Sequence, residues 1–166
     1  MSDKYKLFED VLNTLVGEGC WSVLVSGGLD NGATMSMGNK VERPVPLDSP
    51  NLTDEQKTYV GAFELVIADC TWRLDSPNQI VTSWSDDETV KREYLGYLAG
   101  QTVSAWEITW PGLDLTLHFA NHLSLRLFCD QTDPVDSGEN YSLLSPDYIL
   151  NVGIRSALAV SQRPAA

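Results

Sequence analysis

The chain has 166 residues, of which 43% are hydrophobic and 20% charged; this suits one domain or two small packed halves and excludes a disordered segment. Its 23 acidic and 11 basic residues give a net charge of −12, which argues against nucleic-acid binding, because such a surface must replace phosphate counterions with Lys and Arg. No apolar run approaches the ~20 residues a membrane span needs, and the polar start MSDKYKLFED has no signal-like apolar stretch, so a cytoplasmic protein that does not enter a membrane is expected.

Residues 3–16 carry Leu7, Phe8, Val11, Leu12, Leu15 and Val16 at helical spacing, with Ser2 or Asp3 to cap the helix and Gly17 to end it. A strand follows over 20–25, then a glycine-rich turn over 26–32. Residues 34–38 and 41–47 read as a hairpin about Gly38-Asn39-Lys40. The stretch 44–58 holds three prolines and ends in TDEQK, which predicts a loop with one helical turn. Strands are expected over 62–70, near 70–75 and over 79–84. Asp86-Asp87-Glu88 opens a second helix, about 87–99, since acidic side chains favour the positive end of the helix dipole. Leu95 and Leu98 repeat the spacing of Leu12 and Leu15, and Gly100 ends this helix as Gly17 ends the first.

A strand over 103–110 precedes LDLTLHF, which alternates strictly. Leu113, Leu115, Leu117 and Phe119 face one way; Asp114, Thr116 and His118 face the other. Ala120-Asn121-His122 is the turn, LSLRLFC the return strand, and 130–140 an acidic loop. Strands close the chain, with a last strand or short helix over about 152–161.

One phrase occurs twice. WRLDSPNQIV at 72–81 aligns with YSLLSPDYIL at 141–150, each a strand, a Ser-Pro-Asx turn and a strand. The whole order of elements matches too, so the chain reads as a duplication with halves 1–86 and 87–166. The expected fold is α+β: two pseudo-symmetric halves, each a helix followed by antiparallel strands, packed as one compact unit.

Signals for chemistry are sparse. VLVSGGLDNGAT at 23–34 is similar to the SGGxDS phosphate loop of ATP pyrophosphatases through Ser26, Gly27, Gly28 and Asp30. The next residues, ATMSMGNKVERP, are strand-like and do not form the helix whose amides would hold a phosphate, so a glycine turn is expected. His118 and His122, the two histidines, have no third ligand at metal spacing, and no cofactor signature is present. Cys20, Cys70 and Cys129 have no paired spacing and read as buried free thiols. An acid–base site on the polar strand face would use Asp114, His118 and Arg126.

The stronger lead is charge. No Lys or Arg occurs between Arg126 and Arg155, while that interval holds Asp130, Asp133, Asp136 and Glu139. Asp86 and Asp87, at the junction of the two halves, add to it. A single-sign surface steers association with an oppositely charged partner.

The run from the WEI strand through LTLHFAN-HLSLRLF and the acidic gap to YSLLSPD resembles small bacterial proteins of unknown function and of immunity type, compact α+β proteins that block a cognate toxin. The likeness covers residues 95–152, with 12–85 as a degenerate copy, and its motifs are structural. It implies a non-enzymatic, acidic binder of a basic, nuclease-type toxin domain. Asp130, Asp133, Asp136 and Glu139 would then meet cations of the partner, joined by Asp86 and Asp87, with Trp84 and Trp110 as apolar anchors. Two alternatives stay open: a small-molecule site or enzyme between the halves built on Asp114, His118 and Arg126, and a homodimer.

Overall fold

A computed structural model describes residues 2–26, 32–135 and 138–165. Among these residues three α-helices, α1 (Asp3–Leu15), α2 (Asp54–Thr58) and α3 (Glu88–Leu95), accompany eleven strands. These are β1 (Cys20–Val25), β2 (Ala33–Glu42), β3 (Tyr59–Ile67), β4 (Thr71–Asp75), β5 (Ile80–Ser83), β6 (Val103–Thr109), β7 (Asp114–Phe119), β8 (Ser124–Phe128), β9 (Tyr141–Leu144), β10 (Tyr148–Val152) and β11 (Leu158–Gln162). All pairings are antiparallel, in a six-stranded sheet of order β1-β2-β3-β9-β10-β11 and a five-stranded sheet of order β5-β4-β8-β7-β6. The fold is α+β and dominated by sheet.

The sheet orders carry the pseudo-symmetry. Advancing each strand of β1-β2-β3-β9-β10 by five, and counting on from β10 to β1, gives β6-β7-β8-β4-β5, the other sheet. Each half therefore builds a three-stranded meander and then sends its closing strand pair into the meander of the other half. Neither 1–86 nor 87–166 holds a sheet of its own. This exchange suits the arithmetic of burial, because a unit of that size closes too little apolar surface alone.

The twice-written phrase is this exchanged pair. Trp72 of β4 pairs with Leu127 of β8, and Tyr141 of β9 pairs with Ile67 of β3; all four side chains are buried. Both turns close alike: Ser76 N–H donates to the Gln79 carbonyl at 2.9 Å, and Ser145 N–H donates to the Tyr148 carbonyl at 2.8 Å. The apolar sides of both sheets and both long helices meet in one core. Phe8, Val11, Leu12 and Leu15 of α1 enter it, as do Leu95 of α3 and Leu98 in the 3-10 turn Gly96–Leu98. Helix α1 packs against β6 and β11, and α3 against β1 and β5.

Two expectations change. The hairpin about Gly38-Asn39-Lys40 is a bulge inside the continuous strand β2, where the register slips between Met37 and Lys40. Gly38 takes a φ of 75° and gives its N–H to the Gly19 carbonyl at 2.9 Å, so the chain bends there without reversing. The second helix stops at Leu95 and tightens into a 3-10 turn at Gly96, where glycine costs an α-helix its stiffness. The turn over 26–32 lies largely outside the described residues, but strand β2 follows it and no helix does. The helical turn in 44–58 is α2, closed by a capping box between Thr53 and Gln56.

Candidate functional site

The five-stranded sheet has two chemically different ends. The register Arg73–Ser83, Thr71–Phe128, Leu115–Leu127 and Thr109–Asp114 places the end of β5, the start of β4, the end of β8, the start of β7 and the end of β6 side by side. Along that end run Trp84, Thr71, Asp130, Asp114 and Trp110. The two tryptophans mark the outer strands of the row, four strand spacings or roughly 19 Å apart. Trp84 is 42% and Trp110 45% exposed, and Trp110 packs edge-on against Tyr5.

The acidic loop rises from this end. Asn140, fully buried, fastens its foot: Oδ1 accepts Gln131 N–H at 3.2 Å and Nδ2 donates to the Gly153 carbonyl at 2.8 Å. Arg155 N–H donates to the Gln131 carbonyl at 2.8 Å, and its Nε to the Thr132 carbonyl at 3.3 Å. Gly138 N–H donates to Asp69 Oδ2 at 3.1 Å, and Gln131 Nε2 to the Asp69 carbonyl at 2.9 Å. At the tip, Asp133 Oδ1 accepts Val135 N–H at 2.8 Å, and the Val135 side chain stands 85% exposed. Asp130 accepts from Thr71 Oγ1 at 3.0 Å and Glu139 from Ser142 Oγ at 3.0 Å; among the described residues neither has a cationic partner.

Of the residues expected to meet a partner, Asp130, Asp133, Glu139, Trp84 and Trp110 share this rim, and Asp136 lies outside the described residues. Asp86 is taken up by its own turn, accepting Thr82 Oγ1 at 2.7 Å and Ser83 N–H at 3.2 Å. Asp87 is exposed at the start of α3. Sequence reasoning missed Val135 as the apolar tip and Asn140 as the anchor; an uncharged Asn next to Tyr141 carries no periodic signal.

Beneath the rim lie two thiols and a phenol. Tyr141 Oη donates to the Leu113 carbonyl at 2.8 Å, and Cys129 Sγ lies 3.4 Å from the same oxygen. Burial, with Asp114 and Asp130 adding to it, pushes the Cys129 thiol up to about 12; burial pushes Cys70 up as well, and Cys20, in another part of the core, up to about 12. All three thiols are protonated at neutral pH and make poor nucleophiles. Among the described residues no cluster of His, Cys, Asp or Glu is placed to hold a metal ion.

The three residues of the alternative acid–base site do not come together. Asp114 is fixed at the acidic end, where Oδ1 accepts Cys129 N–H at 2.7 Å. His118 lies four residues along β7, about 13 Å away. It reaches the other end of the sheet with Arg126, in a hollow of about 590 Å³ between the β4–β5 turn of the first half and the β7–β8 hairpin of the second. There His118 Nε2 lies 2.8 Å from Glu107 Oε2 and Nδ1 lies 2.7 Å from Ser124 Oγ. Arg126 Nε donates to Asp75 Oδ2 at 2.8 Å.

No helix among the described residues is long and apolar enough to cross a membrane. No protein-family model, no curated protein and no solved structure matches the chain.

Proposed function

We propose that the protein is a non-enzymatic binding protein whose acidic rim covers a basic protein surface, in the manner of an immunity protein that occludes the active site of a nuclease-type toxin. One observation carries this reading: Asn140 and Arg155 tie down the acidic segment at Gln131, while Val135 beside Asp133 stands exposed, and Trp84 and Trp110 lie exposed on the sheet end from which that segment leaves. A loop held in place before binding loses little entropy on docking, and an apolar tip with flanking aromatics is the composition of an interface centre. The carboxylates bring a cationic partner in and fix its orientation, which is where charge acts most strongly.

The test has two stages. Proteins retained by the immobilised chain at low salt are compared with those retained at about 0.5 M salt and by the variant D130K/D133K/E139K. A captured basic protein is then purified and its activity titrated with the chain. Stoichiometric inhibition that salt and the triple variant both relieve supports the proposal. Retention indifferent to both, or a captured partner whose activity is untouched, overturns it.

A further inference from the structure

Arg73 and Arg126 stand directly opposite each other on the solvent face of β4 and β8. Two like charges in that register repel, and the arrangement persists because one carboxylate lies between them. Asp75 accepts Arg73 Nε on Oδ1 at 2.8 Å and Arg126 Nε on Oδ2 at 2.8 Å. Each guanidinium is thereby gripped by its inner nitrogen, and that of Arg73 also lies over the Phe128 ring, 5.5 Å from its centroid. Arg126 Nη1 makes one long contact, 3.4 Å, to Thr116 Oγ1; the remaining outer nitrogens have no hydrogen bond among the described residues.

The surroundings fit a ligand for that fork. In a chain of net charge −12 with two histidines, this one hollow holds both histidines and the arginine pair, against Asp75 as its lining carboxylate. Both ring nitrogens of His118 are engaged, so the ring positions Ser124 Oγ rather than reaching out itself. Pro77 and the half-buried Leu123 line the hollow, and Ile80, 59% exposed, stands at the lip. The hollow therefore pairs a cationic fork with an apolar wall.

We propose that this hollow binds a small organic oxyanion, with a carboxylate or phosphate head on Arg73 and Arg126 and a compact apolar body against Ile80 and Leu123. The volume, about 590 Å³, is that of a small-molecule site. A polyanion such as nucleic acid is excluded by the acidity of the remaining surface. Planar two-pronged recognition of carboxylate or phosphate is what paired guanidiniums do best. The site lies at the opposite end of the sheet from the acidic rim and does not depend on the rim's role.

Titration of the full chain with inorganic phosphate, phenyl phosphate and benzoate, read by backbone and arginine Nε NMR signals, tests this, with chloride at matched ionic strength as control. The expected result is saturable shifts at Arg73, Ser124 and Arg126, with an aromatic probe binding more tightly than inorganic phosphate. The better of phenyl phosphate and benzoate names the head group. R126K, which keeps the charge but loses the fork, weakens binding about tenfold with its spectrum otherwise native. Asp75→Asn removes the charge and leaves one acceptor oxygen, so it releases one of the two Nε donors and tightens binding. Shifts that chloride reproduces, no saturation with any probe, or Asp75→Asn lowering the melting temperature without changing affinity would overturn the site. Equal affinity for inorganic and phenyl phosphate would overturn its apolar wall.

Discussion

Gly19 and Thr102 form a lone antiparallel bridge between the two halves, and every contact around it occurs twice. Gly17 N–H donates to the Val103 carbonyl at 2.8 Å, and Gly100 N–H donates to the Cys20 carbonyl at 2.7 Å. The Gly19 carbonyl accepts Gly38 N–H at 2.9 Å, and the Thr102 carbonyl accepts Ala120 N–H at 2.9 Å. Cys20–Met37 and Val103–Phe119 are both followed by a one-residue register slip. The bridge therefore marks a local twofold at which each helix hands its chain to a first strand.

Gly17→Ala and Gly100→Ala should cost nearly the same. The glycines have φ of 94° and 86°, and a Cβ added to either meets nothing within 4 Å. Only the left-handed backbone penalty remains, about 1–2 kcal/mol each, or roughly 3–6 °C in melting temperature at this chain length. Thermal and urea unfolding of both variants measure it. A large difference between them would show that the symmetry of the crossing is one of hydrogen bonds and not of energy.

Gly61→Ala should do far more damage. Its Cβ would stand 2.5 Å from the Phe63 carbonyl oxygen and 2.7 Å from Met37 N, both backbone atoms that cannot swing aside. Gly61 pairs with Lys40 where β2 bulges, so β3 would be forced off β2 in the middle of the six-stranded sheet. A loss of at least about 3 kcal/mol is expected, seen as little soluble protein or an early urea midpoint. A midpoint within error of the wild type would mean the bulge absorbs the methyl.

How much of this was legible in the sequence depends on which interactions are local. Leu113, Leu115, Leu117 and Phe119 announce a half-buried strand because the period of two is written in adjacent residues. The matching of Trp72 with Tyr141 was legible for the same reason. What β4 and β9 pair with was not, because strand exchange between halves leaves no mark on either strand's own pattern. Gly38-Asn39-Lys40 and Ala120-Asn121-His122 look alike and occupy equivalent places, yet one is a bulge and the other a turn. The sixteen-residue connection 43–58 after β2 lets that strand run on, whereas 120–123 returns at once. At the sites, the acidic run was visible as composition. The Arg73–Asp75–Arg126 clamp was not, since its members come from two strands that only the fold makes neighbours.

Stability should respond to pH through Glu64. This side chain is 5% exposed; burial raises its carboxyl above the usual 4.5, more than the hydrogen bonds from Gly61 N–H and Ser36 Oγ and the charges of Arg163 and Arg43 lower it. The folded state thus holds this proton more tightly than the unfolded chain. The contribution of Glu64 is most favourable below about 4.5 and is lost as pH rises toward the folded value. In Glu64→Gln an amide oxygen accepts the same two hydrogen bonds without a charge, and Arg163 keeps the Ala62 and Ser145 carbonyls at 2.6 and 3.0 Å. The variant should be more stable than the wild type at pH 7, with the gap closing below about pH 4.5. Urea unfolding across that range decides it; a gap of the opposite sign at pH 7 would mean the two arginines outweigh burial.

The rim and its anchor should fail in different ways. D130K/D133K/E139K keeps the ties at Asn140 and Arg155 and reverses the charge, so association with a basic partner should slow about tenfold at low salt and recover toward the wild-type rate near 0.5 M salt. Asn140→Ala leaves the charges in place and removes the bonds to Gln131 and Gly153. It should cost about 2 kcal/mol, since buried backbone groups lose their partners. It should also speed amide exchange over 131–135 and shorten the life of the complex, because ordering the freed segment then opposes binding. Stopped-flow association and surface-captured dissociation separate the two. If Asn140→Ala loosens the loop in exchange yet leaves dissociation unchanged, the loop is not what the partner grips, and the contact must be sought at Trp84 and Trp110 alone.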